Sequence, residues 1–157
     1  QIVNVNENYF HHKSNAYKRR VEGNDGKNIL ALHMIQRVLK SGIYVDYLLV
    51  DSWYAKPNFI NEVKENGIDV IARLSKSNRI WQFTGKYNTL ESLYIQTNKT
   101  KTLKLGNYNS IKYTYVSTTT THKTLGRVKI VFIKTKDNLI PIISTNTNLS
   151  NIEIINI

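Results

Sequence analysis

The sequence predicts an α/β protein built from two unlike halves, and three observations carry that prediction. Two continuous apolar runs, YLLV at 47–50 and DVIARL at 69–74, flank a short segment with helical spacing. A longer amphipathic segment at 28–40 precedes them. After residue 75 the pattern changes to short alternating runs rich in Thr and Tyr, punctuated by Gly and Asn. Continuous runs suit parallel strands covered on both faces, whereas alternation suits antiparallel hairpins.

Residues 1–27 read as a strand end followed by a polar, basic surface connection that contains glycine. His11 and His12 lie in it with no carboxylate cluster nearby and read as solvated. Between 28 and 40, Ile29, Leu30, Leu32, Met34, Ile35, Val38 and Leu39 are apolar. His33, Gln36, Arg37 and Lys40 recur at i, i+3, i+4 and i+7, leaving one narrow wet stripe on a helix expected to lie on a sheet and be largely buried. Ser41-Gly42 ends it. YLLV is expected to be a doubly buried strand, and Pro57 fits the first turn of the next helix, where a missing N–H costs nothing. Phe59, Ile60 and Val63 form that helix's inner face, and Gly67 sits at its C-terminal cap. Residues 69–74 complete a βαβ unit with parallel strands and a right-handed crossover. IWQFTG, KTLKLG, SIKYTYVSTTTT, RVKIVFIKT and NLIPIIST then read as four or five antiparallel strands, with one or two helical turns at 89–94 capped by Thr89. In NLSNIEIINI, Ser150 and Glu153 form a capping box that opens a helix.

Composition narrows the function. The chain has 157 residues, 41% of them hydrophobic, with seven Gly and two Pro, which suits about one globular domain. The absence of cysteine excludes a disulfide scaffold and any thiolate zinc site. No apolar run is long enough to span a membrane, so a cytoplasmic location is expected. Lys and Arg number 22 against 11 acidic residues, a formal charge of +11 that favours polyanionic partners, nucleic acid above all. The basic residues cluster at 18–20, 73–79 and 99–104, which makes Arg19, Arg20, Lys76 and Arg79 the candidate DNA contacts. A first residue other than Met is also expected of a piece of a longer protein.

Asp51 is the candidate catalytic residue, since in open α/β sheets sites form outside the carboxyl ends of strands. Asp46, at the other end of the same strand, and Asp69, opening the next, read as turn residues. A strand-terminal Asp often serves only to cap a loop. A receiver-type phosphoacceptor would need an acidic pair on an earlier strand and a lysine after a later one, but Asp25 sits in the connection and the later half reads as antiparallel. A restriction-like nuclease would need Glu62 and Lys64 to converge on Asp51 from a strand, yet both fall on helix, on different faces. The remaining reading is phosphodiester transfer by two metals about 3.5–4 Å apart, held by several carboxylates. An RNase H-like fold supplies one of these from the end of a second strand, where Asp51 stands.

The stretch YLLVDSWYAKPNFINEVKENGIDVIARLSKSNRIWQFTGK resembles the IS-four-like insertion-sequence transposases of the Asp-Asp-Glu class. Their pattern is hydrophobic-Asp-Ser-Trp-aromatic, a short helix, then Gly-hydrophobic-Asp-Val-Ile-Ala-Arg-Leu-Lys. Tyr17-Lys18-Arg19-Arg20 and LKSGI match the family's segments upstream of that block, and VKIVF with LIPIISTNTNLSNIEII matches the segments downstream of it. The resemblance implies part of an RNase H-like core at 28–74, a β-rich insertion at 75–146, and at 147–157 the start of the helix leading to a catalytic Glu. It further implies bacterial DNA transposition, with transposon ends and target DNA as partners, a homodimeric synaptic complex, and Mg²⁺ or Mn²⁺ as cofactor. Asp51 becomes the second acidic residue, both catalytic and metal-ligating. The family's first aspartate lies upstream of Gln1 and its glutamate beyond Ile157, so a middle fragment with one of three carboxylates is expected, inactive alone. Glu153 precedes the glutamate motif and keeps its capping role. The alternative is a non-catalytic DNA-binding or relic protein derived from a transposase.

Overall fold

A computed structural model describes residues 13–75, 81–85, 89–108 and 111–156. They fall into two compact units, divided between residues 44 and 45.

Among its described residues the first unit contains two helices. α1 (Asn15–Glu22) forms within the segment read as a connection. Its nucleus is Ser14, whose side chain accepts the Tyr17 N–H at 3.2 Å and satisfies one of the orphan donors of the first turn. α2 (Lys27–Lys40) ends as expected, with Gly42 at φ +82, a left-handed conformation that glycine adopts without steric cost. It is not the covered helix that its periodicity predicts. Only Leu32 is buried, while Ile29 and Met34 are 50% and 55% exposed. Among the described residues of this unit its neighbour is α1, which brings few apolar side chains to cover it.

The described residues of the second unit form a mixed sheet of six strands with three helices. β1 (Tyr47–Val50), α3 (Pro57–Glu65) and β2 (Asp69–Arg73) are the βαβ unit, with β1 and β2 parallel in the register Tyr47↔Asp69 to Val50↔Ala72. Pro57 stands in the first turn of α3, and Gly67, at φ +80, comes just after its end. After α4 (Leu90–Thr100) come β3 (Lys104–Tyr108), β4 (Ile111–His122), β5 (Gly126–Lys134) and β6 (Leu139–Ser144), paired antiparallel, and then α5 (Asn151–Asn156). The strand order is β1-β2-β6-β5-β4-β3. The β-rich half therefore continues the core sheet, joined to it by the antiparallel pairing of β6 with β2.

Helices cover both faces of this sheet. Val131 packs in a cluster with Ile71, Tyr115 and Ile154 of α5, while Phe132, its neighbour in sequence, meets Tyr94 of α4 at 5.4 Å. Consecutive strand residues point to opposite faces, so α4 and α5 lie on opposite sides. In β2, Val70, Ile71 and Ala72 are all buried, as a continuous apolar run requires. β1 departs from that expectation. Among the described residues it is the edge strand, and Leu49 is 51% exposed. The segment at 89–94 also grows beyond a turn or two into the eleven-residue α4, because Thr89 and Ser92 exchange side-chain and backbone hydrogen bonds in a capping box.

Candidate active site

Asp51 comes directly after the last residue of β1, and its main chain turns at once. Its carbonyl oxygen accepts the N–H groups of Tyr54 at 3.0 Å and Ala55 at 3.1 Å, and Ala55 is buried beneath the turn. The backbone thus closes the turn without help from the carboxylate. The side chain is exposed, and among the described residues its one hydrogen bond is at Oδ1, from the Ser52 N–H at 2.6 Å. Loop-capping does not account for it, because it fixes only its own neighbour. Trp53, in the same turn, is 68% exposed.

Strand parity places Asp51 with Tyr47 and Leu49. Tyr47 packs against the cluster that holds Ile154 of α5, and its hydroxyl accepts a hydrogen bond from Asn146 Nδ2 at 3.2 Å. On that face Tyr47 meets the cluster that α5 joins, while Leu49 is 51% exposed. The α5 start itself is well made. Ser150 N–H donates to Glu153 Oε2 at 2.7 Å, and Glu153 N–H donates back to Ser150 Oγ at 3.2 Å, the capping box that the sequence predicts. The Ser150 hydrogen bonds hold the Glu153 carboxyl below its ordinary value, and the charge of Lys129 adds to them. Lys129 in turn donates to the Leu149 carbonyl, with burial pulling its ammonium down and Glu153 opposing.

Of the other acidic candidates, Asp69 has a structural occupation for its carboxylate. Asp69 Oδ1 accepts the Thr145 hydroxyl at 2.6 Å, and Thr145 Oγ1 accepts the Val70 N–H at 2.9 Å, which ties β2 to the chain leaving β6. Asp46 accepts the Asp69 N–H through its carbonyl at 3.1 Å. Glu62 is exposed on α3, while Lys64 donates to the Leu125 carbonyl at 2.8 Å.

Of the candidate DNA contacts, Arg19 is an exposed α1 residue that pairs with Glu22 at 3.1 Å, and Arg20 is exposed beside it. Lys76 and Arg79, like His11 and His12, lie outside the described residues. Sequence reasoning missed Arg37, which reaches the same Glu22 at 2.7 Å. The signal was present, since Arg37 was already on the polar stripe of α2. Its counterpart on α1 was hidden by reading 1–27 as a connection.

Among the described residues no group of three or more His, Asp or Glu stands close enough to hold a metal ion. One carboxylate does not strip Mg²⁺ of its waters, so Asp51 alone does not fit a divalent-metal centre. No helix among the described residues is long and apolar enough to cross a membrane.

No curated protein and no solved structure matches the chain. A family does: residues 9–89, just over half the chain, match the DDE superfamily endonuclease domain. The matched span runs from before α1 past β2 and includes the turn at Asp51. DDE enzymes generally use divalent metals on a DNA substrate, and the family implies an RNase H-like fold. The chain belongs to the DDE superfamily endonucleases.

Proposed function

We propose that this chain is part of an IS-four-like DNA transposase that cuts and joins transposon-end DNA, and that Asp51 is one of its catalytic, metal-ligating carboxylates. The observation that carries the reading is the exposed carboxylate of Asp51, bonded among the described residues to the N–H of its neighbour Ser52, at the end of β1 inside a segment matching a DDE endonuclease. Support also comes from the +11 charge, which suits a polyanionic substrate.

In this reading the companion carboxylates come from sequence outside these 157 residues, and two such proteins act together on paired ends. The divalent ion, when bound by the complete set, supplies Lewis-acid stabilisation at the reacting phosphate. This chain's own part is to hold Asp51 at a strand end. The 157 residues alone are expected to leave duplex DNA intact with Mg²⁺ or Mn²⁺. A protein extended through both flanks is expected to cleave DNA carrying the element's ends, and Asp51→Asn to abolish cleavage while leaving the fold unchanged. Full cleavage by the extended Asp51→Asn protein would put the active site elsewhere.

A further inference from the structure

We propose that the recess between α1 and α2 is a binding site for the sugar-phosphate backbone of DNA, a contact surface separate in sequence from Asp51. This rests on the reading of the chain as a DNA enzyme and gives that enzyme a specific contact.

The recess has a volume of about 240 Å³ and is built from two matching stripes. α1 contributes Asn15, Lys18, Arg19 and Glu22, spaced i, i+3, i+4, i+7. α2 contributes His33, Gln36, Arg37 and Lys40 with the same spacing. Such spacing puts each set on one helix face. The walls therefore carry four permanent cations, Lys18, Arg19, Arg37 and Lys40, and a single carboxylate.

Glu22 engages both guanidinium groups, Arg37 at 2.7 Å and Arg19 at 3.1 Å. Burial works to raise its carboxyl, but the hydrogen bonds and charges of the two arginines outweigh that and hold it below 4.5. It is ionised at neutral pH and offsets one positive charge. A strut tying α1 to α2 would need only these three side chains. It does not account for Lys18 and Lys40, which are exposed on the same two stripes and have no carboxylate within salt-bridge distance among the described residues. Like charges gathered on facing walls repel unless an anion enters between them. Phosphate suits this set, because arginine presents a planar fork to its oxygens and lysine a point charge.

The length of the stripes favours a polymer over a lone anion. Seven steps of about 1.5 Å along each stripe make a row of about 10 Å, roughly three nucleotide rises of about 3.4 Å along one DNA strand. Glu22, by fixing both guanidinium groups, pre-orders the recess before DNA arrives.

The test is fluorescence anisotropy of a labelled duplex with the whole chain, titrated between about 50 and 200 mM salt. The double variant Lys18→Ala, Lys40→Ala removes the two unpaired cations and leaves the Glu22 strut intact. It is expected to bind about tenfold more weakly, with a salt slope shallower by roughly two, near one per lost phosphate contact. A control, Lys112→Ala with Lys136→Ala, removes the same charge from exposed positions outside the three basic clusters and is expected to change affinity less than twofold. Equal losses in both variants would reduce the recess to generic basic surface and overturn the proposal. So would displacement of the duplex by low millimolar inorganic phosphate at constant ionic strength, which would mark a small-anion site. Unchanged binding by the Lys18, Lys40 variant would overturn the recess alone and leave the DNA reading standing. Failure of the unaltered chain to bind DNA at the lowest salt would overturn both.

Discussion

At Asp51 the backbone holds the turn, so the carboxylate is dispensable for folding. Asp51→Asn is therefore expected to change unfolding free energy by less than about 0.5 kcal/mol in denaturant titrations, as for other exposed surface positions. Thr145 is the opposite case. It is buried, accepts the Val70 N–H and donates to Asp69, so its hydroxyl links that N–H to the carboxylate. Thr145→Val keeps the shape but strands both partners, and a loss of about 1–3 kcal/mol is expected by the same measurement. The contrast separates a polar side chain held for the fold from one left over for chemistry.

Helix ends set the element scale. Thr89 turns a short amphipathic segment into the eleven residues of α4, so Thr89→Ala is expected to cost about 1 kcal/mol. α5 depends on Ser150 and Glu153 in the same way, with a pH signature added. The folded-state carboxyl of Glu153 is held below 4.5, as is that of Glu22 in the first unit. A depressed carboxyl contributes stability that is fully present above the unfolded value and lost as pH falls through the folded one. Melting temperature is expected to be flat above about pH 5 and to fall below about 4.5, more gently in Glu153→Gln. A melting curve that dropped on the alkaline side instead would contradict the assignment.

For the whole molecule, the sheet of the second unit is the stability-determining body. Ile130 is fully buried in β5 at the centre of the sheet, between β4 and β6. Ile130→Ala is expected to cost about 2–5 kcal/mol, through lost transfer energy and an unfilled cavity. Because β6 joins the antiparallel strands to the parallel pair, β2 and β5 are expected to exchange their amide hydrogens together rather than as separate subdomains.

Local physics determined much of this protein from sequence alone. The βαβ unit, Pro57 in the first turn of α3, the glycines after α2 and α3, the antiparallel second half and the Ser150–Glu153 box all arise from interactions a few residues apart. So does the place of Asp51 after a strand, which needs only the strand and its end. Tertiary structure alone decided what covers each element. YLLV and DVIAR carry similar apolar runs, yet β2 is buried on both faces and β1 is an edge, because among the described residues β2 has a strand on each side and β1 has one. The periodicity of α2 showed a polar stripe but not what faces it, and α1 supplied the answer with a second basic stripe. Continuous sheet pairing across the two halves was equally invisible, since the β6–β2 register joins residues about seventy apart in sequence. Sequence spacing fixes which side chains share a face of one element, and only the packing of elements fixes which faces meet.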